Sequence, residues 1–459
     1  MAYLEGAEDL VNRWIIPALG GLVVTLVVVS TSVGRLSPSP DPHDRVMPAA
    51  PAGQVMPAAP VKQVTELLDE ARVQAMRPAQ WKAIARRSSI IVLNSWDYHL
   101  IPTLKRANPA VQVWVYKNLS GVRSDDCLTA TDNCGSCAPG VDDSKFLSSG
   151  MGYCWVRRHH PDWLLHAAGT GRRLEFNGYP KTWETNYGSR LYLRQWIGNV
   201  IADVHRHGWD GVKVDNALTT ADAYGLTQEY PTSAAVQRAT YSALREVGPA
   251  LQRAGIRAVY NVGFAPKFPG LWQRWLSAVD GLQQEFYLSF SPQPNAVGQA
   301  WTAYQAEIAS CVKMHKSCWF HAGSHSDMVT SRTRNYALAS YLLVADARQY
   351  LAVGDSATVN VTPCWSLGRP IGLEHRVRGE AWRRKFTAGI AVVNPTRSSV
   401  TADLGGTFYN ADGQALSAIT LGPASGVALG DSRPSACHGQ LKSRSRHPRT
   451  PQARNGGLR

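Results

Sequence analysis

Apolar runs of strand length alternate with amphipathic stretches of helix length between about residues 64 and 360. That alternation restricts the chain to a mainly parallel α/β sheet. Strand-like runs fall at residues 90–94, 111–116, 211–215, 258–262, 281–287, 318–321 and 350–353. Helical spacing covers residues 67–87, 191–207, 234–253, 296–314 and 332–345. Parallel strands need crossover connections, and a set of about eight such units closes most economically as a (β/α)8 TIM barrel. An open doubly wound sheet is the alternative, but no Gly-rich phosphate turn follows any early strand. After residue 360 the texture changes: residues 386–395, 401–407 and 418–421 read as short strands joined by turns, a small C-terminal β-rich extension.

At 459 residues the chain exceeds one compact domain, and its ends are expected to stand outside the fold. Residues 14–34 carry no charge and are long enough to span a bilayer, so residues 1–35 read as a membrane anchor or a signal segment. Residues 36–63 form a Pro/Ala-rich linker in which Val-Met-Pro-Ala-Ala-Pro occurs twice, a stiff spacer between a membrane contact and the body. The barrel is expected over 64–360 and the β extension over 361–430. Residues 431–459 read as a disordered basic tail. Seven basic residues and no acid follow Asp431, so half of the net charge of +14 sits in that tail. The body is only mildly basic and has no nucleic-acid motif, so no nucleic-acid partner is expected. Contact of the tail with anionic wall polymer or lipid is an expectation from charge alone.

Eight cysteines fit an exported protein, secreted or membrane-anchored with its barrel outside the cytoplasm. Cys127, Cys134, Cys137 and Cys154 crowd one segment, and Cys311 and Cys318 lie close together. Disulfides are the leading expectation, with a four-thiolate zinc site as the alternative for the first cluster.

The chemistry is expected where barrel enzymes hold it, at the C-terminal ends of strands. In Trp209-Asp210-Gly211-Val212-Lys213-Val214-Asp215-Asn216 a period of two turns Lys213 and Asp215 one way and the valines the other. Asp215 closes the fourth strand and Glu285 lies near the end of the sixth, so two carboxylates are expected across the barrel mouth. Cleavage of a glycosidic bond needs such a pair, one to protonate the leaving oxygen and one to attack or to activate water. An ion pair with Lys213 is the structural alternative for Asp215. Asn94, Trp96, Asp97, Tyr116, Lys213, Asn216, Asn261, Gln283 and His321 are the expected substrate-binding set: polar groups for hydroxyls, aromatic rings for the apolar faces of sugars. His315, His321 and His325 lack metal-site spacing, and neither a metal nor a cofactor is expected.

These motifs resemble a known family. Residues 113–119, 207–216, 279–285 and 389–395 match in order the glycoside-hydrolase-like TIM barrels catalogued as hypothetical glycosyl hydrolase family fifteen. Lys213-Val214-Asp215-Asn216 is also similar to the strand-four motif of the α-galactosidase clan. That resemblance implies Asp215 as nucleophile and Glu285 as acid/base, although strand six offers Glu where the clan has Asp. The expected function is a glycoside hydrolase acting by two carboxylates, through double displacement, on an extracellular or cell-wall polysaccharide. A non-catalytic carbohydrate-binding barrel and a metal-dependent hydrolase or deacetylase are the rival readings.

Overall fold

The computed structural model describes residues 61–125, 147–289, 295–323, 329–361, 366–377 and 380–434. The expected membrane segment, all of the expected linker but residues 61–63, Cys127, Cys134, Cys137, His325 and nearly all of the basic tail lie outside them. The chain runs β1 (Val64–Leu67), α1 (Glu70–Ala75), α2 (Pro78–Arg87), β2 (Ile90–Leu93), α3 (Ile101–Ala107) and β3 (Gln112–Asn118). A long excursion follows, with β4 (Gly121–Arg123), α4 (Tyr153–His159) and β5 (Thr182–Glu184). Then come α5 (Arg190–His207), β6 (Gly211–Asp215), α6 (Ser233–Arg253), β7 (Ala258–Asn261), α7 (Leu271–Leu276) and β8 (Leu282–Gln284). The barrel finishes with α8 (Gln299–Lys313), β9 (Trp319–Ala322), α9 (Ser331–Val344) and β10 (Tyr350–Val353).

Eight strands in the order β1-β2-β3-β6-β7-β8-β9-β10 pair in parallel, and a parallel bridge from Gln63 to Leu351 joins the last to the first. This is the (β/α)8 TIM barrel. The side-chain period of two sorts its residues. Val64, Ile90, Trp114, Val259, Trp319 and Tyr350 form an apolar plug inside the barrel, with the Trp114 and Trp319 rings 5.0 Å apart. One residue out of step, Ile91, Leu93, Val113, Val115, Val212 and Val214 are buried in the larger core with the helices. Each such side chain stabilises the fold by roughly 1.5–3 kcal/mol. Gly211 is needed because a Cβ there would lie 2.6 Å from the Trp114 indole.

Two expectations are corrected. Residues 67–87 are not one helix: Leu67 ends β1, and Pro78 starts a second helix after α1. Proline excludes Arg77 from helical geometry, and Arg77 is extended at φ −81°, ψ 155°. The expected strand at 281–287 shrinks to Leu282–Gln284, which puts Glu285 just beyond its end.

The C-terminal part is a six-stranded antiparallel sheet of β11 (Pro370–Arg376), β12 (Trp382–Phe386), β13 (Gly389–Asn394), β14 (Val400–Tyr409), β15 (Ala415–Leu421) and β16 (Ser425–Gly430). Its order is β11-β12-β13-β16-β14-β15. Helix α9 is apolar around most of its circumference and buries nine residues, because the barrel lies on one side of it and this sheet on the other. Arg384 of β12 donates to the carbonyls of Leu342 and Ala345, both at 3.2 Å, and so satisfies the end of α9. Cys311 and Cys318 form a disulfide between α8 and β9, and Cys154 is also disulfide-bonded. Among the described residues no helix is long and apolar enough to cross a membrane.

Candidate active site

Above the apolar plug the inward-facing positions of six strands turn polar, Val92 and Ala352 staying apolar: Glu66, Tyr116, Lys213, Asn261, Gln283 and His321, each two residues along from an inward position of the layer below. Asp215 ends β6, Asn261 ends β7, and Glu285 follows β8, so three adjacent strands deliver an acid, an amide and an acid to one rim. Asn261 Nδ2 donates to Asp215 Oδ1 at 2.7 Å and to Glu285 Oε2 at 2.5 Å, which keeps those two oxygens within 5.2 Å of each other. The Tyr116 hydroxyl donates to the other oxygen of Asp215 at 2.8 Å and fixes its plane. Asn216, at φ 58°, turns the chain out of the strand immediately afterwards.

Lys213 does not pair with Asp215. Its ammonium contacts Glu66 of β1 at 2.7 Å, and Gln283 Nε2 donates to the other Glu66 oxygen at 2.8 Å. His321 bonds through Nε2 to the Gly354 carbonyl at 2.8 Å. Burial alone would lower the Lys213 pKa, but Glu66, then Asp215 and Glu285, reverse that and hold it well above the ordinary lysine value. Burial opposes the Glu66 charge too; Lys213 and His321 overcome it and keep this carboxyl below the usual range. Glu285 goes the other way. Burial pushes its carboxyl up against the pull of Lys213, and the neighbouring Asp215 charge adds to the rise. A carboxyl group whose pKa is raised and a second one held by two donors therefore share one site, an asymmetry of the kind that acid-assisted displacement uses.

The sequence model for hypothetical glycosyl hydrolase family 15 matches residues 105–390. The chain belongs to that family. A search of the curated proteins finds no sequence match. Among solved structures the chain is similar to the glycoside hydrolase domain of PelA from Pseudomonas aeruginosa, at 12% identity over 65% of this chain and 96% of that one, TM-score 0.39. It is similar to the noncanonic maltogenic α-amylase AmyB from Thermotoga neapolitana, at 10% identity over 80% and 98%, TM-score 0.47. It is also similar to Ega3 from Aspergillus fumigatus, solved with galactosamine, at 12% identity over 68% and 98%, TM-score 0.38.

In this family 15 barrel the structure brings Tyr116, Lys213, Asn261, Gln283 and His321 together with the two acids, and leaves Asn94, Trp96 and Asp97 apart. The last three follow the second barrel strand, not the first, because β1 precedes them. Asn94 donates to the Leu68 carbonyl at 3.1 Å, and the Trp96 indole N–H donates to Glu70. Asp97 is 1% exposed, and burial, then the Glu70 charge, raise its pKa to about 7. Among the described residues no hydrogen bond joins these three to Asp215 or Glu285.

Two residues of the family 15 site escaped the sequence reading. Glu66 sits on a four-residue strand, too short for its period to register. Tyr179 lies at an exposed tip of the excursion, framed by turn-forming Asn177-Gly178 and Pro180. Its ring is 49% exposed and stands edge-on to Phe176 at 5.4 Å. Partial burial, then the charges of Glu285 and Asp215, raise its phenol pKa. Just after β7 and β8, Phe264 and Phe286 have ring centres 4.8 Å apart. Phe264 is held at φ 60°, a strained value for a bulky residue and one that tends to mark functional loops.

Glu184 of β5, in the excursion of this family 15 chain, carries a pH-dependent liability. It is 2% exposed, its Oε2 has no hydrogen-bond partner, and burial, then Glu229, push its carboxyl up to about 8 from an ordinary 4.5. A raised folded-state value makes the group neutral at low pH and withdraws stability as pH climbs from 4.5 through 8. Glu184→Gln is therefore expected to match the wild type near pH 4 and to exceed it by about 2–4 kcal/mol near pH 9 in denaturant titrations. A difference independent of pH would contradict this assignment.

Proposed function

We propose that the protein is a retaining glycoside hydrolase that acts on an extracellular or cell-wall polysaccharide. The observation that carries this reading is the single Asn261 amide bonded to both acids, with its 5.2 Å ceiling on the distance between their oxygens. Retaining enzymes place their carboxyl groups about 5–5.5 Å apart, whereas inverting enzymes need about 6.5–9.5 Å to seat a water. The separation fits direct attack by one of the two acids.

Glu285, the acid whose pKa is raised, gives its proton to the glycosidic oxygen as the bond to the anomeric carbon breaks. Asp215 attacks that carbon from the opposite face and forms a glycosyl-enzyme ester. Glu285, now a carboxylate, takes a proton from water, whose oxygen displaces Asp215 and restores the starting configuration. Tyr116 and Asn261 orient the nucleophile. Tyr179 on one flank and the Phe264–Phe286 pair on the other supply flat apolar faces for adjacent sugar rings.

Export belongs to the same proposal. The uncharged segment at 14–34 would carry the barrel across a membrane or tether it there, the Pro/Ala spacer would hold it away from the surface, and the basic tail would meet anionic wall polymer or lipid. The test is a screen of the purified protein against bacterial wall, capsular and matrix polysaccharides, followed by proton NMR of the first sugar released. The expected result is cleavage with the substrate's anomeric configuration in the initial product. The opposite anomer would replace double displacement by inversion, and binding without cleavage would leave a carbohydrate-binding barrel.

A further inference from the structure

We infer that Glu66 is a positioning residue that sets the separation of Asp215 and Glu285 by gripping the side chain two places before each of them. The inference rests on the reading of that pair as catalytic. Lys213 precedes Asp215 by two residues on the same face of β6, and Gln283 precedes Glu285 by two, with Glu285 just past the end of β8. Glu66 reaches both from β1: Oε2 takes the Lys213 ammonium at 2.7 Å and Oε1 takes the Gln283 amide at 2.8 Å. One side chain thus ties the fourth and sixth barrel strands together one layer beneath the acids.

The sixth strand has need of such a tie. Strand β8 is three residues long, paired to β7 through Leu282 and Gln283 and to β9 through Gln283 and Gln284, and Glu285 lies outside the ladder altogether. Backbone bonds flank Glu285, from the Val262 N–H to the Gln283 carbonyl at 2.9 Å and from the Tyr287 N–H to the His321 carbonyl at 3.0 Å, and Glu285 is the step between them. A carboxylate is the group for this place because it is acceptor-only on both oxygens, and both neighbours are donors. An amide there would turn an NH2 toward either the ammonium or the Gln283 amide. Lys213 is 2% exposed, so loss of Glu66 would also leave a buried cation whose nearest remaining anions are the two acids themselves.

Crystal structures of the wild type, Glu66→Gln and Glu66→Ala test this without any substrate. The wild type is expected to keep Asp215 Oδ1 and Glu285 Oε2 within 5.2 Å. In Glu66→Ala the gap is expected to widen, with Asn261 retaining one of its two hydrogen bonds and Lys213 turning toward the acids; Glu66→Gln is expected to show an intermediate change and serves alone if the alanine variant does not fold. An unchanged gap in the variants that fold overturns the inference. On whichever glycoside the wild type cleaves, kcat is expected to fall on the order of 10²-fold in Glu66→Ala with KM unchanged, because misplacement of the acids penalises the transition state rather than binding. A lowered melting temperature with unaltered kcat would reduce Glu66 to a structural role. A wild type inactive on every glycoside would refute the glycosidase reading, while the carboxylate gap would still decide the inference.

Discussion

Asp215→Asn is expected to lower turnover by at least about 10⁴-fold while the barrel stays folded, since the substitution keeps the shape and can still accept from Asn261, with its NH2 turned to the Tyr116 hydroxyl, but removes the nucleophile. Glu285→Gln is expected to behave differently. It removes general acid catalysis, worth about 10²–10⁴-fold, and the loss should shrink for aryl glycosides whose leaving group needs no proton. Glycosyl-enzyme should then accumulate in Glu285→Gln and be visible as a mass increment on Asp215, because the same residue activates the water that releases it. The two variants therefore separate the two roles. Unaltered turnover in Asp215→Asn would end its assignment as nucleophile, and equal losses of Glu285→Gln on natural and activated substrates would end that of the acid.

The second large effect is on stability. Lys117 of β3 and Asp203 of α5 form an ion pair with both side chains 0% exposed. The ammonium also donates to Ser95 Oγ at 2.7 Å and to the Leu147 carbonyl at 2.6 Å, while the second Asp203 oxygen meets His207 Nδ1 at 2.6 Å. Burial opposes the Asp203 charge, but Lys117 and His207 outweigh it and hold its carboxyl below the usual range. This stability is present above the ordinary carboxylate value and is lost as pH falls through the lowered one. Asp203→Asn leaves a buried cation without its anion and is expected to destabilise the fold by about 3–5 kcal/mol in urea titrations at neutral pH. Lys117→Met combined with Asp203→Leu is expected to recover much of that, because neither charge then needs solvation. A double variant no more stable than Asp203→Asn would show that the pair is worth more than the apolar packing that replaces it.

The legible part of this molecule was the part with period. Residues 191–216 declare a helix, a Gly208 stop at φ 73° and a strand whose inward face ends in Asp215, because each signal is local and they agree. Asn261 and Gln283 followed from the same strand-end logic. Glu66 did not: Val64–Leu67 is too short to stand out, and only closure of the ring against Leu351 makes it a strand. Asn94, Trp96 and Asp97 do follow a strand, but Asn94 and Trp96 hydrogen-bond to Leu68 and Glu70, partners that no local pattern announces. Tyr179 was hidden because its position is set by a β4–β5 hairpin whose strands, Gly121–Arg123 and Thr182–Glu184, are far apart in sequence. Local pattern carries no information about such a meeting.

Helix α9 binds the fate of the two halves together. With most of its circumference buried between barrel and sheet, the same fourteen-residue element completes both hydrophobic interiors. Neither half owns it. A chain stopped short of β11 would bare the outer side of that helix and strip Arg384 from its last carbonyls, so the boundary visible in the sequence near residue 360 marks a change of texture and not a seam along which the molecule comes apart. Heat should melt barrel and sheet in a single step.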